Sequence, residues 1–237
     1  TSMTKGIVVY GNPRTRVNRP LWLLRELGLP YNVETSVHFH SDEFPGTNKK
    51  QPALVDSDGT VIFESLAINL YLIRKYGKEH SLAPFTCAEQ AGTYQWTMYA
   101  MTELDPRLFE LLFHSPFLEA AGHPLANDAR YAEYFGRLRS SNRQTRLQRE
   151  LEFPLAVLEN ALSSTKAYLL GQKFTVADLN VASVLEWARL VGIELAPFTA
   201  TWLEECMNRP LSPRKFEEPD TPSVASMSNP ASFSKRY

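Results

Sequence analysis

NKKQPALVDSDGTVIFESLAINLYL, residues 48–72, combines a proline, a hairpin and the start of a helix. Pro52 cannot donate a backbone hydrogen bond, which confines it to the first residue of a strand or to a sheet edge. A serine-aspartate-glycine turn at 57–59 separates two short apolar runs, which predicts a hairpin of two strands. Glu64 and Ser65 then open a segment whose apolar residues recur at helical spacing. The stretch therefore predicts a β-β-α unit that begins at a proline.

The residues before this stretch predict a strand, a helix and a second strand. Residues 7–10 are apolar and end at Gly11, residues 16–27 carry apolar side chains near the helical period, and residues 31–37 alternate like a strand. A strand–helix–strand unit implies a parallel pair joined by a right-handed crossover. We therefore predict an α/β domain at residues 4–77, with the order β-α-β, an irregular link, and then β-β-α.

Helical patterns dominate the rest of the chain. We predict a linker at 78–87, an all-helical domain at 88–211 and a flexible tail rich in Ser and Pro at 212–237. Within the helical domain, Thr175 and Asp178 have the spacing of a capping pair, so a helix is expected to begin there.

Composition limits the class of protein. The chain has 237 residues and a net charge of −1, which gives no electrostatic reason to bind nucleic acid or an anionic membrane surface. Its two cysteines show no CxxC and no metal-ligand spacing, so we expect neither a disulfide framework nor a metal site. No apolar run approaches the roughly 18 residues of a membrane-spanning helix, and no signal-peptide pattern is visible. We therefore expect a cytoplasmic protein.

Three stretches, in their order and spacing, resemble the soluble glutathione transferases. They are TRVNRPLWLLRELGLPYNV at 15–33, QPALVDSDGTVIFESLAINLYL at 51–72 and YLLGQKFTVADLNVASVLEWA at 168–188. The resemblance covers about residues 5–210. It implies a thioredoxin-like N-terminal domain followed by an all-α C-terminal domain, with glutathione as co-substrate. It also implies a homodimer, and a role in detoxification or secondary metabolism.

The resemblance assigns the glutathione site to the stretch quoted first. In that family the proline corresponding to Pro52 is cis, and Gln51 would present its backbone N–H and C=O to the cysteinyl part of glutathione. Glu64 and Ser65 match the acidic and hydroxyl residues that hold the γ-glutamyl end, where a helix N-terminus favours the α-carboxylate. The candidates for a basic residue near the glycyl carboxylate are Lys50 and, as weaker alternatives, His38 and His40.

The group that activates the sulfur lies, in this family, at or just after the first strand, and is usually Tyr, Ser or Cys. Cysteine is absent from that stretch, so the chain resembles the serine- or tyrosine-type enzymes rather than the cysteine type. Matching T-R-x-x-R-x-L-W to the family's S-R-x-x-R-x-L-W gives Thr15, whereas matching from the strand gives Tyr10. Asn12 is a third donor. Arg16 would add positive potential near the sulfur, or it is a surface arginine bonded to a carboxylate.

The family places its electrophile pocket against the first long helix of the second domain, which we predict at 88–114. Trp96, Tyr99 and Thr102 follow one another at three-residue spacing, so they can share one helical face, either as pocket lining or as core. The candidates for the pocket are Trp96, Tyr99, Thr102 and Phe109, with Trp187 on the opposite side.

The leading interpretation is a glutathione transferase that activates glutathione as a thiolate for attack on a small, apolar electrophile. A glutathione-dependent lyase, isomerase or peroxidase could use the same thiolate. A non-catalytic glutathione-binding or assembly module of the same fold is the alternative from a different class. Thr15 stands where serine is usual, and this departure keeps the non-catalytic alternative open.

Overall fold

The protein is described here by a computed structural model, which covers residues 6–114, 141–163 and 167–215. The first domain is a four-stranded sheet with the order β2-β1-β3-β4, in which β1 is parallel to β2 and antiparallel to β3. Its strands are β1 (Ile7–Tyr10), β2 (Tyr31–Glu34), β3 (Ala53–Val55) and β4 (Val61–Phe63), and its helices are α1 (Asn18–Glu26) and α2 (Ser65–Tyr76). The α/β thioredoxin-like domain predicted from the sequence is confirmed, although β2 ends three residues earlier than the alternation suggested.

One face of the sheet is covered by α1 and α2. Val9 and Leu54 face each other in the register of β1 and β3, and both are fully buried in one core with Ile68 of α2. Successive side chains of a strand point to opposite faces, so Tyr10 lies on the other face from Val9. There its ring meets Phe44 edge-on, with the ring centroids 6.1 Å apart.

The described parts of the second domain are helical, as predicted, and the helix at 176–190 packs against those at 87–99, 105–114 and 197–207. The helices are α3 (Cys87–Tyr99), α4 (Asp105–His114), α5 (Ser141–Leu162), α6 (Val176–Leu190) and α7 (Pro197–Met207). A π-helical turn, Ala100–Leu104, separates α3 from α4 and interrupts the single long helix expected at 88–114. The turn adds a residue to one helical repeat, so it shifts which side chains share a face before and after it.

A buried carboxylate organises the start of α6. Asp178 accepts hydrogen bonds from the backbone N–H and the hydroxyl of Thr175, both at 2.9 Å, which confirms the predicted capping pair. Its other oxygen accepts from the backbone N–H of Leu169 at 2.8 Å and from the indole of Trp202 at 3.1 Å. Burial raises the pKa of Asp178, and the four hydrogen bonds oppose that effect. The capping residue thereby also connects α6 to α7.

Buried amides join the two domains. Asn69 of α2 donates to Asn180 of α6 at 2.8 Å, and Asn180 donates to Thr97 of α3 at 2.9 Å. All three side chains are inaccessible to solvent, where a polar group needs a partner. The chain of hydrogen bonds therefore sets the position of α2 against the helical domain.

The segment after α7 returns to the first domain. Arg209 forms a bidentate ion pair with Glu26 of α1, with distances of 2.8 and 2.6 Å, and Arg25 donates to the backbone oxygen of Leu211 at 3.0 Å. Ser212 is fully buried. Packed structure thus continues to residue 215, four residues into the predicted tail, and the remainder of that tail lies outside the described residues.

Asp56 connects the β3–β4 hairpin to the last turn of α2. Its buried carboxylate accepts from the hydroxyls of Tyr71 at 2.5 Å and Tyr76 at 2.6 Å, and from the ammonium of Lys75 at 2.6 Å. Burial by itself would raise the pKa of Asp56, but the hydrogen bonds from Lys75 and the two tyrosines hold that pKa well below its usual range. The ionised carboxylate therefore stabilises the fold.

We expect Asp56→Asn to lower the free energy of unfolding by about 2–3 kcal/mol, because the neutral amide loses charge-assisted hydrogen bonds in a buried position. Asp58→Asn is the matched control. Asp58 also contacts Lys75, at 2.7 Å, but its side chain is half exposed, so its ion pair contributes little. Urea unfolding of the three proteins measures both effects, and equal losses in the two variants would contradict the role of Asp56.

The hydrogen bonds to the Asp56 carboxylate make the stability of the fold depend on pH. The pKa of Asp56 is lower in the folded chain than in the unfolded chain, so its contribution is complete above about pH 4 and is lost as the pH falls. Between about pH 5 and pH 3 we expect the wild type to lose more stability than Asp56→Asn.

Candidate functional site

The loop after β1 meets the segment before β3 at one end of the sheet. The Gln51–Pro52 peptide bond is cis, as the resemblance implied, and the side-chain oxygen of Gln51 accepts from the backbone N–H of Asn12 at 2.8 Å. Gly11, which precedes Asn12, has a φ of +126°, and a Cβ on this residue would lie 2.7 Å from the side-chain oxygen of Gln51. Only glycine allows this close approach, so Gly11 brings the two segments together.

Ser65 is the first residue of α2 and only 2% exposed. Its hydroxyl oxygen accepts from Nη1 of Arg19 at 3.3 Å. The preceding residue, Glu64, has a φ of +70°, a strained backbone for a residue with a side chain, and its exposed carboxylate accepts from Asn48 at 3.4 Å. The hydroxyl and the N–H groups of the first helical turn can bind a carboxylate, while Glu64 offers a charge for an ammonium group.

Two arginines of the first domain pair with one carboxylate of the second. Arg16 donates twice to Asp105, from Nη2 at 2.6 Å and from Nε at 3.3 Å, and Arg19 donates to it from Nη2 at 2.6 Å. Arg19 is fully buried, Asp105 is 3% exposed, and the side chain of Arg16 is 26% exposed. Burial would raise the pKa of Asp105, but the charges of Arg19 and Arg16 lower it. The expected carboxylate partner of Arg16 is therefore present, at the domain interface.

The sulfur-activating candidates occupy different surroundings. Thr15 donates its hydroxyl to the backbone oxygen of Asn12 at 2.8 Å and accepts weakly from the N–H of Val17 at 3.4 Å. The side-chain oxygen of Asn12 accepts from the N–H of Arg14 at 2.9 Å. These residues form one tight turn next to Arg16, whereas the ring of Tyr10 contacts Phe44.

The basic candidates lie on the exposed segment that leads to Gln51. Lys50 is exposed, while its neighbour Lys49 donates to the backbone oxygen of Ser41 at 2.7 Å. His38 and His40 are also exposed and pack around the ring of Phe39, with centroid distances of 4.6 and 4.3 Å. Lys50 thus adjoins the Gln51–Pro52 bond, and the histidines form a separate cluster.

Phe109 and Trp187 form an aromatic wall beside Arg16. Their ring centroids are 5.6 Å apart, and the Arg16 guanidinium carbon lies 3.9 Å from the Phe109 centroid and 5.1 Å from that of Trp187. Asp105 and Phe109 are four residues apart on α4, so one face of that helix presents both the carboxylate and the ring to Arg16.

The other three pocket candidates have different neighbours. Trp96 is 7% exposed and belongs to the core of the helical domain, where its ring meets that of Tyr99 at 5.6 Å. The hydroxyl of Tyr99 donates to the backbone oxygen of Pro154 in α5 at 3.1 Å. Thr102 lies in the π-helical turn and bonds back to the oxygen of Met98 at 3.0 Å. Of the five candidates, the structure brings Phe109 and Trp187 together with Arg16.

Sequence reasoning singled out neither Arg19 nor Asp105, although both are central to this arrangement. Arg19 is the second arginine of the T-R-x-x-R motif, and Asp105 precedes a proline at the start of α4. An arginine within a run of core residues needs a buried acceptor, which is the signal that could have found the pair.

Neither a metal site nor a membrane-spanning helix is found within residues 6–114, 141–163 and 167–215. No cluster of three or more His, Cys, Asp or Glu side chains there could hold a metal ion. No helix of the same ranges is long and apolar enough to cross a membrane.

Curated relatives of the chain include proteins named as a glutathione S-transferase and as URE2. The glutathione S-transferase GstA of Escherichia coli O157:H7 is 29% identical over 175 residues, covering 72% of this chain and 75% of that protein. Protein URE2 of Candida albicans is 29% identical over 218 residues, covering 79% of this chain. The match spans only 62% of the length of that URE2 protein.

Solved structures share the fold. Ure2p in complex with glutathione has a TM-score of 0.73 at 23% identity, covering 89% of this chain and 94% of that one. The glutathione transferase URE2P8 of Phanerochaete chrysosporium, solved with oxidized glutathione, has a TM-score of 0.67 at 25% identity, covering 89% and 93%.

Family models match both domains. Residues 5–74 match the glutathione S-transferase N-terminal domain, and residues 116–210 match the C-terminal domain, so together the matches span more than half of the chain. The two matched domains occur in the order in which the fold presents them, with the cis-proline and Ser65 inside the first. The chain belongs to the glutathione S-transferase family.

Proposed function

We propose that the protein is a glutathione transferase that binds glutathione at the N-terminus of α2 and activates its thiol for attack on a small electrophile with an apolar body. The observation that carries the proposal is the convergence of three features. These features are the cis Gln51–Pro52 bond, the buried hydroxyl of Ser65 and the partly exposed guanidinium of Arg16. Hydrogen bonds connect the segments that carry them: Gln51 accepts from Asn12, and Arg19 donates to both Ser65 and Asp105.

The peptide-like ligand has a partner for each of its polar ends. The backbone of Gln51 pairs with the cysteinyl unit as an added strand would. Ser65 and the first N–H groups of α2 hold the γ-glutamyl carboxylate, and Glu64 holds its ammonium. Lys50 is the favoured partner for the glycyl carboxylate because it adjoins Gln51 and is exposed, with His38 and His40 as alternatives.

Activation means favouring the thiolate of glutathione. A free thiol has a pKa of about 8.5. Lowering this pKa by about two units stabilises the thiolate by roughly 2.7 kcal/mol relative to the thiol. We favour Thr15 as the donor to sulfur. Its hydroxyl now donates to Asn12, so the hydroxyl must rotate to donate to the ligand. Tyr10 and Asn12 are the alternatives, and Arg16 adds positive potential.

The proposed chemistry is a substitution. The thiol proton passes to solvent, the thiolate forms a bond to an electrophilic carbon, and a leaving group departs with its electron pair. A lyase, isomerase or peroxidase reaction would begin from the same thiolate.

The second candidate is a glutathione-binding protein without turnover. Two observations favour it: the Thr15 hydroxyl is already engaged by a backbone oxygen, and the similar chains include the transcriptional regulator URE2 of Saccharomyces cerevisiae, 28% identical over 218 residues. Binding of glutathione without ionisation of its thiol would identify this case.

We also propose a homodimer, since the first domain and α3 expose apolar side chains. Val61 and Phe63 are 46% and 37% exposed on the edge strand β4. Tyr94 and Met98, four residues apart on one face of α3, are 54% and 53% exposed. A second copy would remove this apolar surface from water.

Titration of the bound thiol tests the transferase proposal. We expect the ultraviolet thiolate absorbance of bound glutathione to appear well below the free value of about pH 8.5. Thr15→Val should return the pKa toward that value, because valine keeps the shape and removes the donor, and Tyr10→Phe should leave it unchanged. Loss of the shift in Tyr10→Phe alone would assign the role to Tyr10. Binding without a shift in the wild type would favour the second candidate.

Replacing Ser65 tests the glutathione site itself. Ser65→Ala removes a hydroxyl that meets both Arg19 and the proposed carboxylate, so we expect glutathione to bind about tenfold more weakly by calorimetry. Ser163→Ala is the control, since that exposed hydroxyl lies just after α5 and bonds back to the backbone oxygen of Asn160. Unchanged affinity in Ser65→Ala would place the γ-glutamyl end elsewhere.

Light scattering tests the homodimer. The wild type should show about twice the chain mass of 26.9 kDa, and Phe63→Glu should reduce it to the monomer because the edge strand then carries a charge into the interface. Phe153→Glu changes a residue that is 77% exposed on α5 and should leave the dimer intact. A monomeric wild type would refute the assembly.

A further inference from the structure

We propose that Arg16 binds an anionic group of the second substrate, so that the preferred electrophile is a flat apolar ring bearing a carboxylate. The inference rests on the proposed function and specifies the substrate class of the same site. It arises from the charge balance of the domain interface, from the hydrogen-bonding capacity of Arg16 and from its position on the aromatic wall of Phe109 and Trp187.

The interface carries more positive than negative charge. Arg16 and Arg19 share the single carboxylate of Asp105, and Ser65 supplies only a neutral oxygen. Nε of Arg19 is buried without an acceptor anywhere in the described part of the chain. Glu64 acts on Arg19 only through space, and in the proposed complex it pairs with the glutathione ammonium. Before ligands bind, one of the two guanidinium charges therefore lacks a bonded carboxylate in the described part of the chain.

Of the two arginines, Arg16 is the one that can present its guanidinium to a second substrate. The side chain of Arg19 is fully enclosed, whereas that of Arg16 is 26% exposed. A guanidinium has five N–H donors, and among the described residues Asp105 accepts from two of those of Arg16, the one on Nε and one on Nη2. Three donors remain, which is enough for the two parallel hydrogen bonds that a carboxylate accepts.

The aromatic wall supplies the apolar part of the site. The guanidinium of Arg16 lies 3.9 Å above the ring of Phe109, and Trp187 packs against the same ring at 5.6 Å. Bonds to Asp105 and contact with Phe109 hold the cation in one orientation. A substrate ring that lies against Phe109 and Trp187 would thus bring a carboxylate at its edge to Arg16.

Two matched electrophiles test the charge preference. We use a chloronitrobenzoate and the chloronitrobenzamide with the same ring substitution, which have the same shape and differ in charge. In both, sulfur bonds to the ring carbon, the carbon–chlorine bond breaks, and chloride leaves with its electron pair. Each kcat/KM is divided by the uncatalysed rate constant with glutathione, which removes the intrinsic difference in reactivity. The wild type should prefer the benzoate by about tenfold to a hundredfold, the range for hydrogen bonds between charged groups.

Variants separate binding of the substrate from activation of the sulfur. Arg16→Met should slow both compounds, because it removes positive potential near the sulfur, but it should slow the benzoate further, so that the preference disappears. Arg74→Met removes an exposed charge from α2 and should retain the preference. Should Arg16→Met fail to fold because Asp105 keeps only Arg19 as an ion-pair partner among the described residues, Arg16→Lys keeps the charge. It should show a reduced preference because it cannot make parallel hydrogen bonds.

Three results would overturn the inference, and the thiolate absorbance distinguishes them. A wild type that forms the bound thiolate but treats both compounds alike has no anion site. Equal losses for both compounds in Arg16→Met, with a raised thiol pKa, would assign Arg16 to the sulfur alone. A wild type without bound thiolate would refute the proposed function, and the substrate class would fall with it.

Discussion

The buried charge of Arg19 is the constraint on which the rest of the structure depends. A guanidinium without solvent contact must be paired, and its partner, Asp105, belongs to the other domain. Removing either partner would leave a buried charge, so the two domains dock only where α1 and the start of α4 meet. The same guanidinium donates to Ser65, so docking also orients the hydroxyl at the N-terminus of α2. The candidate glutathione site is thereby coupled to a domain that does not line it.

Each domain contributes a different part of the candidate site. The sheet domain carries the features suited to glutathione, which are held by contacts within the domain, such as Gln51 with Asn12. The helical domain contributes Phe109 and Trp187, whose rings contact the guanidinium of Arg16. Side chains on α4 and α6 can therefore change without disturbing the cis-proline segment, provided that Asp105 remains.

Family membership leaves the reaction open, because the fold is shared by proteins named as transferases and by proteins named URE2. In the proposed site, turnover would depend on the groups near the sulfur of glutathione. In this chain Thr15 uses its hydroxyl within the turn, and Arg16 shares its charge with Asp105. Whether such groups favour a thiolate is a question of local electrostatics, which the fold does not answer.

Sequence alone determined the features that depend on near neighbours. The turn at 57–59, the start of α2 at Ser65 and the capping pair of Thr175 and Asp178 are set by hydrogen bonds across a few residues, and the pattern of residue types records them. With the family resemblance, this was enough for the fold class and for the glutathione-facing candidates. Tertiary structure alone decided that Arg19 pairs with Asp105, 86 positions away, and that a π-helical turn leaves Trp96 in the core while Phe109 reaches Arg16. Periodicity fixes which residues share a face, but only packing between elements decides what that face meets.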